Sequence, residues 1–305
     1  MPMKLKFHTL DVFTSRKFAG NPLAVVLDAE GLSTAQMQTI TKEFNLSETT
    51  FVMKPDDPAH TAKVRIFIPG GEMPFAGHPT LGTAVLLAEL HNTSGGALQT
   101  EIRLELKAGL TPVKVSRSAG HISGIFTAPV VPFHTGVALP NVETTARALN
   151  LDPGEIGFGG HKIASLEGGP RFFYVPVNSR AALEKSRVCE PYWSELIKPL
   201  QGINTAYLYT PGGDAPDTSF RSRMYAPTGG IPEDPATGSA VALLAAQLLT
   251  AEKLADGSHH WNLEQGYEMG RPSDLRLEAD VKDGKLMAVR VGGSAVRMMS
   301  GEIDI

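Results

Sequence analysis

Two stretches of this chain are apolar on every side and built largely from small residues: PTLGTAVLLAEL at 79–90 and PATGSAVALLAAQLL at 235–249. Both are helical in pattern, and a helix with no polar face has to be enclosed on all sides. A bilayer could enclose one, but the longest apolar run, Ala240 to Leu249, is too short to span it and carries Gln247. Each stretch therefore reads as the centre of a domain, with the rest of that domain wrapped around it.

The wrapping is strand. Gly (31) and Pro (22) are spread along the 305 residues, as suits many short strands joined by turns. In Gln99 to Lys107 the apolar Ile102, Leu104 and Leu106 alternate with charged residues, and Lys63 to Ile68 reads the same way. Leu275 to Val281 and Lys285 to Val291 flank Lys282-Asp283-Gly284, which predicts a hairpin. Further helices are predicted at Ser33 to Phe44, opened by a capping box of Ser33 and Gln36, and more briefly at Val142 to Asn150 and Tyr192 to Leu200.

Laid over one another with an offset of 156 residues, the two apolar helices match Pro79 with Pro235, Gly82 with Gly238, Thr83 with Ser239, Ala84 with Ala240 and Val85 with Val241. Each follows a Gly-Gly pair, Gly70-Gly71 and Gly229-Gly230. This predicts an internal duplication: an α+β chain of two similar domains, each a curved, mostly antiparallel sheet around a central helix. The two helix openings are expected at a shared cleft. The two prolines of APVVPF, Pro129 and Pro132, place the boundary so that the domains are 1–128 and 129–305, with the last strand free to return to the first.

Composition narrows the chemistry. With 28 basic and 32 acidic residues, a formal charge of −4 and no Lys/Arg run, there is no footprint for a nucleic acid. A single cysteine, Cys189, excludes an intramolecular disulfide, a thiolate metal cage and any mechanism needing two thiols. The histidines, His259-His260 included, lack metal-ligand spacing. The glycine-rich pieces lack nucleotide-loop order. Neither metal nor cofactor is expected. The N-terminus shows no apolar export signal, so a cytoplasmic setting is expected.

The candidate site lies at the helix openings. Backbone N–H groups there carry partial positive charge and bind carboxylates without a basic side chain. His78 precedes one apolar run and Asp234, beside Glu233, the other. Each also fits a plain structural role, His78 as a core histidine and Asp234 as an N-cap. Glu48, in NLSETTF, stands between a helix and an apolar strand. Entering an apolar setting would raise its pKa toward the range of an acid/base catalyst. A hydrolase triad of Ser239, His78 and Asp234 has the residue types but no nucleophile elbow.

The blocks FAGNPLAVV (18–26), NLSETTFV (45–52), MPFAGHPTLGTA (73–84), RSRMYAP (221–227) and EDPATGSA (233–240) together resemble the phenazine-biosynthesis isomerase, or PhzF-like, family, in family order over nearly the whole chain. The resemblance implies the diaminopimelate-epimerase-like fold and a homodimer. It implies Glu48 as general acid/base, with His78 and Asp234 as the polar residues facing it. Ser239 would contact substrate, and the backbone of Gly77 and Gly238 would hold its carboxylate. The related two-thiol epimerases carry a cysteine at each helix opening; here those stretches carry Ala76 and Ala236.

The expected activity is a cofactor-independent proton shift on a small amino or hydroxy carboxylic acid. In the family's best-known member this is trans-2,3-dihydro-3-hydroxyanthranilate. Epimerisation or racemisation of a related acid, and a catalytically silent carboxylate binder, are the competing readings. No nucleic-acid or membrane partner is expected.

Overall fold

The computed structural model of the protein describes residues 4–92, 96–118 and 120–305. The chain divides into two compact units: residues up to Thr127 together with Gly292–Ile305, and Ala128–Val291. The second unit accordingly ends at Val291, and the tail 292–305 is part of the first.

The first unit holds β1 (Lys4–Val12), β2 (Asn21–Val26), α1 (Thr34–Phe44), β3 (Glu48–Met53), β4 (Ala62–Ile68), β5 (Gly71–Met73), α2 (Gly77–His91), β6 (Gln99–Leu106), β7 (Gly109–Ser118) and β8 (His121–Thr127). The second holds β9 (Phe133–His134), α3 (Val142–Ala148), β10 (Ala164–Glu167), β11 (Arg171–Pro176), α4 (Arg180–Lys185), α5 (Tyr192–Ile197), β12 (Ala206–Pro211), β13 (Phe220–Ala226), β14 (Ile231–Asp234), α6 (Gly238–Ala251), β15 (Gly257–Gln265) and β16 (Ser273–Lys282). The final strand β17 (Lys285–Asp304) begins in the second unit and runs on into the first, where it pairs along β1 from Val12↔Ala295 to Lys4↔Asp304. Asp283 and Gly284, both at positive φ, make the turn of the β16–β17 hairpin, as the Asp-Gly pair required. Ser33 and Gln36 close the capping box of α1.

α2 and α6 are the enclosed helices. α2 packs against β1, β2, β3, β6, β7 and β8, and α6 against β9, β10 and β16. Small residues make this enclosure possible. A Cβ on Gly82 would lie 2.6 Å from Val12 Cγ2 and 2.7 Å from Leu23 Cδ2, inside any real contact. Gly82→Val is therefore expected to lower the unfolding free energy by about 1–3 kcal/mol through overpacking. A denaturant midpoint unchanged from wild type would show that β1 and β2 can back away from the helix.

The strand pairings repeat. In the first unit β1–β2 is antiparallel, β2–β3 parallel, β3–β4 and β4–β5 antiparallel, β4–β6 parallel and β6–β7 antiparallel. In the second unit β10–β11, β11–β12, β12–β13, β13–β14, β13–β15 and β15–β16 follow the same sequence of orientations.

Side chains repeat with the strands. Glu105 accepts from the N–H groups of Asp56 and Asp57, and Glu264 accepts from those of Asp214 and Ala215. Lys63 pairs with Asp56, and Arg221 with Asp214. Arg65 bonds Glu72 and lies over Phe67; Arg223 bonds Glu233 and lies over Tyr225.

These equivalences correct the register of the duplication. The matching strands are offset by 158 residues (Asp56 with Asp214, Arg65 with Arg223) and the helix openings by 161 (Gly77 with Gly238), not by the 156 that the apolar letters suggested. Pro79 lies inside the first turn of α2, whereas α6 begins at Gly238 and Pro235 lies on the approach to it. The bulge between Tyr225 and Ala226 accounts for part of the change in offset between strand and helix.

Candidate active site

Strand periodicity places Glu48. On β3, Phe51 and Met53 pack with Met37 and Ile40 of α1, so the alternate residues Glu48, Thr50 and Val52 face the other way, toward α2. Thr50 Oγ1 meets Thr83 Oγ1 of α2 at 2.9 Å, which confirms that face. One step of the same face up the strand, Glu48 reaches the opening of α2, where its Oε2 lies 3.6 Å from His78 Nδ1. The Glu48 side chain is 15% exposed and that of His78 is 4% exposed. No side chain caps this end of α2. Pro79 brings no N–H, so Gly77 and His78 supply the backbone donors of the first turn.

Burial pushes the His78 imidazole down to about 3, against the opposing pull of a hydrogen bond to the Pro22 backbone. His78 is therefore neutral near pH 7, and its contact with Glu48 is one between a carboxyl group and a neutral ring, not an ion pair. A buried imidazole of this kind destabilises the fold in acid. Its folded pKa lies below the ordinary value of 6.5, so its contribution is fully present above about pH 6.5 and is lost as pH falls toward 3. Glu105 and Asp280, both held down to about 2 by their hydrogen bonds, act in the same direction only at lower pH. His8, lowered mainly by burial and then by Arg297, adds to the histidine window. His78→Gln is expected to flatten the fall in unfolding free energy between pH 6.5 and pH 5, measured by urea titration at both. An unchanged slope would mean that His78 protonates without cost in the fold.

The second unit carries the other half of the expected set. Asp234 ends β14 and is buried, and Gly238 and the half-buried Ser239 open α6. Asp234 is not an N-cap. That place belongs to Thr237, whose hydroxyl leaves the helix uncapped and instead donates to Asp234 Oδ2 at 2.5 Å. Gln265, at the end of β15, accepts from the Thr237 N–H and donates to Asp234 O and Thr237 Oγ1.

The structure thus joins Glu48 with His78 and Gly77 in one unit, and Asp234 with Gly238 and Ser239 in the other. Thr237, with Gly238 and Ser239, reads in the sequence as a backbone donor at a helix opening and not as a partner of Asp234, while Gln265 escaped the sequence reading altogether. Nothing in the sequence links Gln265 to Asp234 across 31 residues. Among the described residues, no group of three or more His, Cys, Asp or Glu is placed to hold a metal ion. His259 instead stacks on Trp261 and bonds the Ala255 carbonyl. No helix among the described residues is long and apolar enough to cross a membrane.

A duplicated α+β unit around an enclosed helix, with a carboxyl and an imidazole at one helix opening and a carboxyl at the other, defines a diaminopimelate-epimerase-like protein. Within that class, the model of the phenazine biosynthesis-like protein family (PhzC-PhzF) matches residues 10–301, and the chain belongs to that family. It is 42% identical to an uncharacterized isomerase of Mesorhizobium japonicum, with 97% of each chain covered. It is 33% identical to the trans-2,3-dihydro-3-hydroxyanthranilate isomerase of Pseudomonas chlororaphis, over 96% of this chain and 97% of that one. Among solved structures, the Bacillus anthracis phenazine biosynthesis protein of the PhzF family superposes with a TM-score of 0.87 at 25% identity, covering 99% of this chain and 100% of that one. The protein is an isomerase of this family.

Proposed function

We propose that the protein shifts a proton between two carbons of a small amino or hydroxy carboxylic acid, with Glu48 as the single acid/base that removes and returns it. The observation that carries this reading is the half-buried Glu48 carboxyl 3.6 Å from a neutral, buried His78 at an uncapped helix opening. A carboxylate so placed can take a proton from carbon and, as the carboxylic acid, give it back on the same face. Backbone N–H groups at Gly77 and Gly238 would hold the substrate carboxylate and offset charge that develops during transfer. Asp234 and Ser239 would bind the amino or hydroxyl group.

Two features favour isomerisation over stereoinversion. A neutral imidazole is a weak proton donor, so His78 is a poor second acid. The strand equivalences also put Thr205 at the register position of Glu48 in the second unit, so the duplication does not supply a second carboxyl there. A silent carboxylate binder would have no use for the pair of Glu48 and His78.

The substrate named for the Pseudomonas relative, trans-2,3-dihydro-3-hydroxyanthranilate, is the first probe. Turned over in deuterated water, it should gain solvent deuterium at the carbon that receives the proton, at a rate that depends on Glu48. Binding without exchange would select the silent binder, and inversion at the carbon that loses the proton would select the epimerase. The cytoplasmic setting and the homodimer belong to the same proposal and rest on the sequence alone.

A further inference from the structure

The duplication supplies an internal control. Residues that the shared scaffold needs recur in both units, as Arg65 with Arg223 and Glu105 with Glu264 do; residues that serve a task of one unit do not. By the same register, Asp234 corresponds to Met73, Thr237 to Ala76 and Gln265 to Leu106. At these three positions the first unit carries apolar side chains. The second places a carboxylate, a hydroxyl and an amide there, all buried. Burial of such groups is costly unless each is satisfied, so the fold by itself gives no reason to keep them.

Their hydrogen bonds run in one direction only. The Thr237 N–H is 3.2 Å from Gln265 Oε1 and the Asp234 carbonyl is 2.8 Å from Gln265 Nε2. Backbone groups cannot exchange roles, so these two contacts fix which end of the amide is which. The amide N–H then also reaches Thr237 Oγ1 at 2.9 Å, and the hydroxyl oxygen accepts from it. Its one hydrogen is left for Asp234 Oδ2, at 2.5 Å. As a carboxylate, Asp234 is the acceptor of that bond. Gly266 secures the arrangement: at φ +76°, a Cβ there would stand 2.5 Å from both Pro235 O and Arg271 O, so the chain carrying Gln265 closes against the Asp234 turn.

We propose that Thr237 and Gln265 are positioning residues for Asp234, fixing the rotation of its carboxyl and holding it in the acceptor state in which it meets substrate. This rests on the reading that Asp234 takes part in the reaction. Ionisable groups also flank this corner on the neighbouring strands. Tyr207 of β12 donates to Ser222, Glu233 and Arg223 are paired with each other, and Glu264 is held by the Asp214, Ala215 and Thr218 donors.

The test is the titration of the Asp234 carboxyl in the full-length protein labelled with 13C-carboxyl aspartate, the resonance being assigned by its loss in Asp234→Asn. A hydroxyl that donates to the carboxylate favours the ionised form, so Thr237→Val and Thr237→Ala should move the midpoint to higher pH by about one unit. Thr237→Ser should restore it, and Gln265→Leu should move it in the same direction as Thr237→Val. A midpoint unmoved in both Thr237→Val and Thr237→Ala overturns the proposal, whether or not Gln265→Leu folds. A midpoint that Thr237→Ser fails to restore overturns it as well. The underlying reading fails separately: wild-type turnover of trans-2,3-dihydro-3-hydroxyanthranilate by Asp234→Asn would remove Asp234 from the reaction, whatever the titration shows.

Discussion

Glu48→Gln is expected to lower turnover by about a thousandfold, the middle of the range that one general acid/base residue contributes. The amide keeps the shape and polarity of the side chain but neither takes nor returns a proton. The half-buried position beside His78 tolerates a neutral group, since the ring there is itself uncharged. The variant should therefore fold with an unchanged melting temperature and still bind a carboxylate ligand. Deuterium exchange at carbon is the sensitive readout because it registers proton removal even when product does not accumulate. Turnover within a few-fold of wild type would take Glu48 out of the mechanism and leave the helix opening as a binding site alone.

The second large effect is on stability. Glu264 accepts from two backbone N–H groups and the Thr218 hydroxyl, and faces Arg221 at 3.6 Å, with its side chain 2% exposed. Glu264→Gln turns half of that acceptor set into a donor facing donors. Water cannot fill in, so about 2–4 kcal/mol of unfolding free energy should be lost. Glu105 carries the same device in the first unit, bonded to Asp56, Asp57 and His60, but solvent reaches it. Glu105→Gln should cost visibly less in the same urea titration. Equal losses would show that the loop geometry, rather than the exclusion of water, sets the cost.

Enough of this molecule was legible in the sequence to place its centre. The two small-residue helices were readable because an element with no polar face admits one solution, and the Asp-Gly turn because few residue pairs accept positive φ. Glu48, His78 and Gly77 were recognisable because they fall within short contiguous blocks. The duplication was read from the wrong letters. Helix interiors made of Ala, Leu and Val match at several offsets, and the 156-residue alignment placed Gly82, a residue of close packing, against Gly238, the first residue of a helix. The sharper signal was polar: Asp56 and Pro58 against Asp214 and Pro216, then Arg65 and Phe67 against Arg223 and Tyr225. The aspartates and arginines among them repeat because each makes a directed bond that the fold reuses. Gln265 gave no such signal, since its partners reach it only once β15 has paired beside β13.

The last strand has a consequence for the order in which the protein is assembled. Everything the second unit contains lies in one uninterrupted run, Ala128–Val291, so it can close as soon as that run has emerged from the ribosome. The first unit starts sooner and finishes later. The edge of β1 that takes residues 295–304 stays bare until those residues have emerged, an open template for a neighbouring nascent chain throughout that wait. The half that bears Glu48 and His78 is thus the one whose completion depends on residues 292–305, and a chain stalled short of them would leave that half unsealed while its twin stood finished.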